Sequence, residues 1–204
     1  IQERHRRIEK SQVRIKVIEM LESVGISNVS ERLNKYPHQF SGGMRQRVMI
    51  AIVISCEPEI LIADEPTTNL DVTTQVQVLK LIEDLVEKKG SSLILISHDM
   101  GVIAETCDKI AVMYAGRVME YGDIRDVFKK PLNPYTQALL NAIPQVDVDI
   151  IKIEAIPGKV PNLINPPPGC RFHPRCKYAM EKCKKEAPEL KKIEKGHFTA
   201  CWSF

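Results

Sequence analysis

Acidic side chains and a histidine follow two short apolar runs in this sequence. Asp64 and Glu65 come directly after residues 59–63, and His98 comes two positions after residues 93–96. Such runs are typical of buried β-strands, and the ends of neighbouring parallel strands meet at one edge of a sheet. Two carboxylates there can supply oxygen ligands to Mg²⁺ beside a phosphate chain and can position water, while an imidazole can donate a hydrogen bond to a phosphate oxygen. The pattern predicts a site for chemistry on phosphates.

Ser41, Gly42 and Gly43 form a second candidate site, for an anion. They stand where a helix is predicted to begin, with Ser41 as its N-cap. The first backbone N–H groups of a helix lack intrahelical partners, the helix dipole favours negative charge at this end, and glycine permits a close approach. These residues therefore predict a phosphate-binding helix N-terminus.

Hydrophobic periodicity predicts the elements that position these residues. Helices are predicted over residues 11–24, from 41 towards 58, and over 72–88, 100–106, 124–130 and 134–142. Strands are predicted over residues 59–63, 93–96 and 110–114, and residues 115–117 join two β-rich segments. This alternation predicts an α/β fold with a mostly parallel sheet.

The composition restricts the class of partner. The 29 Lys and Arg against 26 Asp and Glu give a net charge of +3, which demands neither nucleic acid nor an acidic substrate. No run approaches the ~20 apolar residues of a membrane-spanning helix. Residues 1–12 lack the apolar core and the cleavage site of a signal peptide. Any membrane role is therefore expected to be peripheral, and we expect the protein to be cytoplasmic.

Four short motifs occur in order along the chain. They are FSGGMRQR at residues 40–47, ILIADEP at 60–66, LD at 70–71 and SHD at 97–99. Together they resemble the signature, Walker B, D-loop and switch-histidine motifs of ABC ATPases, over nearly the whole chain. The resemblance implies part of the helical subdomain and the parallel-sheet core of an ABC-type domain. Met44, where many members carry glutamine, and Asn69, where a small residue is common, depart from the pattern.

The resemblance also implies a role for each motif residue, with ATP and Mg²⁺ as cofactors. Asp64 would help to hold Mg²⁺ through its water shell, Glu65 would act as general base, and His98 would sense the γ-phosphate. The signature residues would act in trans on ATP held by a second ATPase subunit. The expected nucleotide-binding residues are Ser41, Gly42, Gly43, Met44, Gln46 and Asp71, the last in the loop that crosses the subunit interface.

A phosphate-binding loop of the form GxxxxGK[ST] does not occur in the sequence. The only Gly-Lys pair, Gly158-Lys159, is followed by Val160. In the family this loop and a glutamine-bearing segment lie N-terminal to a helix like the one near Ser11. We therefore interpret the sequence as the C-terminal part of a longer ATPase and expect it to be inactive alone.

Further segments resemble one branch of the family, the peptide and nickel importer ATPases. These are RQRVMIA at residues 45–51, DEPTT at 64–68, NPYTQALL at 133–140, IPG at 156–158 and PPGCRFHPRC at 167–176. The resemblance implies import of oligopeptides or dipeptides by a subunit peripheral to the cell membrane, on its cytoplasmic face. The implied partners are a second ATPase subunit in a homo- or heterodimer, transmembrane permease subunits and, indirectly, an extracytoplasmic substrate-binding protein. Nickel import and a nucleic-acid-associated ABC ATPase are alternatives, although no coiled coil or tandem domain occurs and no specific nucleic acid is expected.

The C-terminal part of the sequence has a different composition. Six prolines lie between Pro144 and Pro168, which predicts a boundary near Gln145: an ATPase part over residues 1–144, and over 145–204 a proline-rich linker with a small irregular extension.

Four cysteines in that extension predict a metal site. Cys170, Cys176, Cys183 and Cys201 are separated by five, six and seventeen residues, and four thiolates can hold Zn²⁺ or an iron–sulfur cluster. The wide spacing favours a 4Fe-4S cluster, with zinc and unligated thiols as alternatives, while a reducing compartment disfavours disulfides.

Overall fold

The computed structural model describes residues 10–143 and 155–204. The chain forms two compact units, divided between His98 and Asp99. The predicted boundary near Gln145 lies outside the described residues and stays a prediction. None of the described helices has the length and apolar character needed to cross a membrane.

The first unit combines helices with a two-stranded parallel sheet. Strand β1, Ile60–Asp64, pairs with β2, Ser92–Ile96, in a register that places Asp64 opposite Ile96. The helices are α1 (Lys10–Ser23), α2 (Val29–Arg32), α3 (Gly42–Ile54) and α4 (Val72–Lys89), with a 3₁₀ turn at Pro37–Gln39. The predicted strands and helices of this unit are therefore present, within a few residues at each end.

Local sequence signals explain where α3 and α4 begin and where α4 ends. The Ser41 hydroxyl accepts a hydrogen bond from Met44 N at 3.3 Å and caps α3. The Asp71 carboxylate accepts from Thr74 N at 2.9 Å and caps α4, which ends at Gly90 with a left-handed φ of 65°. Side-chain acceptors satisfy the unpaired donors of a first turn, and glycine adopts a positive φ without strain.

The core of this unit lies on one side of the sheet. Leu61 is buried with Val24, Ile50 and Val78, which come from the segments around it. Ile60 and Ile62 alternate with Leu61 and Ala63 and are exposed among the described residues. The apolar run was predicted to be a buried strand, but in the described part of the chain β1 is covered on one face only.

The second unit contains an antiparallel sheet in the order β3-β4-β6-β5. Its strands are β3 (Lys109–Tyr114), β4 (Arg117–Asp123), β5 (Lys191–Glu194) and β6 (His197–Thr199). Its helices are α5 (Met100–Thr106), α6 (Ile124–Lys129), α7 (Pro134–Asn141) and α8 (Glu181–Lys185), with a 3₁₀ turn at His173–Arg175. Among the described residues the larger sheet is thus antiparallel. The prediction of a mostly parallel sheet applies only to the smaller one, β1 and β2.

The C-terminal strands belong to this sheet. Strand β6 pairs with β4 through Glu120↔Thr199 and Tyr121↔Phe198, so the end of the chain is not simply the irregular extension that its proline content predicted. Strand pairing between residues about eighty positions apart has no local sequence signal, because hydrophobic periodicity reports only the nearest neighbours of a residue.

A buried polar network connects β4, β6 and the segment before α7. The Glu120 carboxylate is fully buried and accepts hydrogen bonds from Leu132 N at 2.7 Å and from Asn133 N at 3.0 Å. Its Oε1 lies 2.7 Å from His197 Nε2. Asn133 Nδ2 donates to Met119 O, Thr199 Oγ1 and Ala200 O. Buried polar groups of this kind fix one arrangement of strands, because any other leaves them without partners.

Candidate functional site

Glu65 and His98 meet at the carboxyl edge of the parallel strands. Glu65 follows the last residue of β1 and His98 lies two residues beyond β2, so the paired strands bring the two side chains together. His98 Nδ1 lies 3.0 Å from Glu65 Oε1, and the side chains are 81% and 44% exposed. An ionised carboxylate only accepts hydrogen bonds, so Nδ1 carries the proton and Nε2 faces away from this contact. Two groups that can move or hold a proton thus lie side by side at an open edge.

The conformation of Glu65 is held by its neighbours. Its backbone has a φ of 44°, and its N–H donates to Ile96 O at 2.9 Å. Thr68 Oγ1 donates to Glu65 Oε2 at 2.8 Å, and Thr68 N donates to Glu65 O at 3.2 Å. A positive φ is uncommon for residues other than glycine and marks a position that the surrounding structure imposes. The carboxylate is therefore oriented before any ligand binds.

These hydrogen bonds lower the pKa of Glu65. The hydrogen bond from Thr68 contributes most, followed by the one from His98, while desolvation acts in the opposite direction. Hydrogen bonds to the charged form of a carboxyl group favour that form. Glu65 is therefore ionised at neutral pH, as a group that is to accept a proton from water must be. Thr68 was not singled out from the sequence; its position three residues after Glu65, within a turn, is the available signal.

Asp64 completes this edge of the sheet. It is the last residue of β1 and is exposed. Within residues 10–143 and 155–204 its carboxylate makes no hydrogen bond or ion pair. The oxygens of Asp64 are thus free to coordinate a cation, beside a Glu65 carboxylate that is already engaged by Thr68 and His98.

The signature residues lie at the start of α3, and the structure gives Gly43 a second reason to be glycine. A Cβ atom built on Gly43 would lie 2.7 Å from Thr74 Cγ2 in the first turn of α4, and one on Gly42 would lie 3.6 Å from Leu70 Cδ2. Contacts below 3.0 Å require displacement of one partner. Gly43 thus permits the close packing of α3 on α4, in addition to the phosphate binding predicted for it from the sequence.

The other predicted nucleotide-binding residues have internal contacts. The sulfur of Met44 lies 3.7 Å from Arg32 Nη1, and its side chain packs on the core of the first unit. Both carboxylate oxygens of Asp71 accept from Thr74, which lowers the pKa of Asp71. Gln46 is half-buried on α3. Among the described residues none of these side chains forms a hydrogen bond or an ion pair with Asp64, Glu65 or His98.

The cysteines do not form the predicted metal centre. Cys170, Cys176, Cys183 and Cys201 line one small apolar cavity, but no group of three or more His, Cys, Asp or Glu within the described residues is placed to hold a metal ion. The prediction of an iron–sulfur cluster, with the metal-binding role of these four residues, is therefore wrong, and the alternative of zinc gains no support.

The environment of the thiols gives the physical reason. Burial raises the pKa of Cys170 and of Cys176, which opposes the thiolate form that metals require. Cys183 is buried, its carbonyl accepts from Cys170 N at 2.8 Å, and its sulfur lies 3.5 Å from Met180 N. Hydrogen bonds and apolar packing hold this segment in the described structure.

Two protein-family models match separate parts of the chain. Residues 1–68 match the family model described as ABC transporter. Residues 119–183 match the model described as oligopeptide/dipeptide transporter, C-terminal region.

Similar curated proteins are transport ATP-binding proteins of bacteria. The oligopeptide transport ATP-binding protein AppD of Bacillus subtilis is 49% identical over 98% of this chain and 61% of its own length. The corresponding protein OppD of Salmonella typhimurium is 48% identical over 97% and 59%, and the dipeptide transport ATP-binding protein DppD of Bacillus subtilis is 47% identical over 98% and 59%. The chain thus spans about three fifths of the length of these relatives.

Solved structures resemble the chain in fold. The protein cbiO1 from Clostridium perfringens, part of the ABC transporter complex cbiONQ, aligns with a TM-score of 0.53 and 32% identity over 60% of this chain and 48% of its own. The dimeric bacterial ABC transporter cassette MJ0796 aligns with a TM-score of 0.50 and 30% identity over 58% and 50%. The α/β architecture is that of ABC ATPases. Over nearly its whole length the chain is thus similar to oligopeptide and dipeptide transport ATP-binding proteins, and its two family-model matches are to ABC transporters and to the C-terminal region of oligopeptide/dipeptide transporters.

Proposed function

We propose that this chain is part of an ATP-hydrolysing subunit that powers the import of oligopeptides or dipeptides and is peripheral to the membrane. The observation that carries the proposal is the Glu65–His98 pair, 3.0 Å apart at the exposed carboxyl edge of two parallel strands. Ligands of open α/β sheets bind at this edge. The names of the curated relatives support the substrate class and the coupling to transport.

Glu65 is proposed as the general base of hydrolysis. Its carboxylate is exposed, ionised and oriented by Thr68, so it can accept a proton from a water placed against a γ-phosphate. His98 is proposed to contact the γ-phosphate. With the Nδ1 proton directed to Glu65, the neutral ring offers Nε2 as an acceptor, so donation to a phosphate oxygen requires protonation of Nε2 as well. Phosphate binding would then couple the charge of His98 to that of Glu65.

Asp64 is proposed to help hold Mg²⁺. Mg²⁺ in nucleotide sites keeps several waters and uses one or two carboxylates together with phosphate oxygens, so a single unpaired aspartate at the sheet edge fits it. When bound, the ion would neutralise negative charge that develops on the phosphates. Asp64 contributes an oxygen position fixed by β1, which pairs with β2 at this residue.

The start of α3 is proposed to bind the phosphates of ATP held by a second ATPase subunit. Backbone N–H groups at Gly42 and Gly43 face the helix N-terminus, where an anion is stabilised by the dipole. This half-site and the Glu65 group are proposed to act on different nucleotides. Met44, Gln46 and Asp71 are proposed to complete this half-site, and transmembrane permease subunits with an extracytoplasmic binding protein are the proposed partners.

The domain organisation is part of the proposal. Residues 1–144 would supply the ATPase elements, and residues 145–204 would form the appended C-terminal region of peptide importers. The family model that matches residues 119–183 overlaps both parts.

The test is hydrolysis by a polypeptide that carries this chain together with a phosphate-binding loop. Glu65→Gln should lower steady-state ATP turnover by at least about a hundredfold while leaving ATP affinity intact, because the base is lost and the phosphate contacts remain. Glu87→Gln, an exposed change on α4, is the matched control and should retain turnover. Uptake of a labelled oligopeptide by cells producing the full transporter should fall with the same variant. Near-normal turnover in Glu65→Gln would contradict the proposal.

A further inference from the structure

Positive charge is concentrated at the C-terminal end of the chain. Residues 170–204 contain nine Lys and Arg against four Glu, while the remaining residues contain twenty against twenty-two acids. The whole-chain net charge of +3 thus hides a strongly basic segment on a slightly acidic remainder. Such an asymmetry directs a protein towards an anionic partner.

Seven exposed lysines of this segment form what we call the basic surface. They are Lys177, Lys182, Lys184, Lys185, Lys191, Lys192 and Lys195. Three of the four acids of the segment are already engaged: Glu181 pairs with Lys184, Glu186 with Lys182 and Glu194 with Lys130. The fourth, Glu189, is exposed. Across the described part of the chain, the other five lysines of the surface have no carboxylate partner. Their charge is available to a ligand.

Trp202 brings the separate parts of the basic surface together. The ammonium of Lys182 on α8 lies 3.6 Å from the centroid of the Trp202 ring, and that of Lys191 on β5 lies 5.8 Å from it. Trp202 Nε1 donates to Glu186 O at 3.0 Å. Lys182 of α8 and Lys191 of β5 therefore flank one ring, which joins these two parts of the basic surface.

Exposed apolar side chains lie between the lysines along the chain. Tyr178 is 52% exposed, and Met180 and Leu190 are each 42% exposed. Lys177 Nζ lies 5.0 Å from the centroid of the Tyr178 ring. Basic residues mixed with exposed apolar and aromatic ones are typical of surfaces that lie in the headgroup layer of a membrane.

We propose that the basic surface binds the headgroups of anionic lipids. Clusters of four to eight basic residues attract anionic membranes, and Met180 and Leu190 can enter the headgroup layer, whereas a phosphodiester backbone offers them no apolar contact. The inference rests on the proposed function in one respect, the location of the protein beside a membrane. It adds a direct lipid contact to a subunit otherwise held by its permease partners.

Vesicle partitioning tests the proposal with the whole chain. The protein is mixed with vesicles of phosphatidylcholine alone, or of equal parts phosphatidylcholine and phosphatidylglycerol, and bound protein is measured after sedimentation. We expect binding to the anionic vesicles only, weakened by added salt. The triple variant Lys185→Glu, Lys192→Glu, Lys195→Glu should bind at least about a hundredfold more weakly. The same three positions changed to Arg should retain binding.

A matched control separates this surface from overall charge. Lys16→Glu, Lys80→Glu and Lys88→Glu change three exposed lysines of the first unit and shift the net charge equally, so binding should fall by less than about threefold. Equal loss in both triple variants, equal binding to both vesicles, or tight binding to a mixed-sequence RNA without preference for anionic vesicles would overturn the proposal. The vesicles hold no nucleotide or permease, so Glu65→Gln should bind them normally, and failure of the ATPase proposal would leave this result unchanged.

Discussion

Each unit of the molecule contains a glutamate–histidine pair, and the two pairs differ in burial. Glu65 and His98 in the first unit are 3.0 Å apart with side chains 44% and 81% exposed. Glu120 and His197 in the second unit are 2.7 Å apart with side chains 0% and 2% exposed. The same two residue types at nearly the same distance thus occupy opposite environments.

The difference in burial separates a chemical role from a structural one. Around Glu120 each carboxylate oxygen is satisfied by backbone N–H groups or by His197, and the side chain is fully buried. Glu65 keeps access to solvent at the end of β1 and β2. An exposed ion pair contributes little to stability, while breaking a buried one is strongly destabilising. The first pair is therefore suited to catalysis and the second to holding the strands in place.

The largest expected effect is the loss of the buried pair. Glu120→Ala should lower the free energy of unfolding of the second unit by about 3–5 kcal/mol, because His197 and two backbone N–H groups lose their acceptor. Urea denaturation followed by far-UV circular dichroism measures this. Glu65→Ala is the matched change in the exposed pair and should leave the unfolding midpoint nearly unchanged. Equal destabilisation by both variants would contradict the structural role assigned to the buried pair alone.

A smaller effect is expected at the cap of α3. Ser41→Ala removes the acceptor for Met44 N and should lower the free energy of unfolding by about 1 kcal/mol. Ser30→Ala, in the exposed part of α2, should not destabilise the protein. Thermal unfolding of both variants provides the check, and an unchanged midpoint for Ser41→Ala would show that the cap contributes nothing to the fold.

The smallest effect concerns the titration of Glu65. Thr68→Val removes the hydrogen bond that contributes most to lowering its pKa, so the pKa of Glu65 should rise towards its ordinary value of 4.5. A lowered pKa stabilises the fold above the unfolded-state pKa, and this contribution is lost as the pH falls through the folded-state pKa. The variant should therefore show a weaker acid destabilisation from this group. Carboxyl NMR titration measures the shift, and Thr67→Val is the control. An unshifted pKa of Glu65 in Thr68→Val would show that Thr68 does not lower this pKa.

The elements of this fold that depend on neighbouring residues could be predicted from the sequence. Helix α4 begins at its predicted position, and Ser41 and Gly90 act through signals that lie within a few residues. Asn69, which departs from the family pattern, has a φ of 64°, a left-handed conformation that asparagine tolerates better than most residues. The pairing of β4 with β6 and the exposure of Ile60 and Ile62 depend on distant segments, so local periodicity could not predict them.

The candidate site likewise has a part that the sequence predicted and a part that depends on distant contacts. Asp64, Glu65 and His98 are placed by two predictable strands, and the contact between Glu65 and His98 follows from the parallel pairing of those strands. The part played by Thr68 and the packing of Gly43 on Thr74 required three-dimensional structure. The cysteine spacing suggested a cluster because sequence shows that thiols are near one another along the chain and not whether they converge on one ion.

Two glutamine variants, compared in one polypeptide that includes a phosphate-binding loop, test most directly whether the exposed pair is the catalytic one. ATP turnover and urea unfolding are measured for Glu65→Gln and Glu120→Gln. Glu65→Gln should lose turnover by at least about a hundredfold with an unchanged unfolding midpoint, while Glu120→Gln should unfold at lower urea and its folded fraction should keep near-normal turnover. Normal turnover in Glu65→Gln, or loss of turnover in folded Glu120→Gln equal to that in Glu65→Gln, would contradict the assignment of catalysis to the exposed pair.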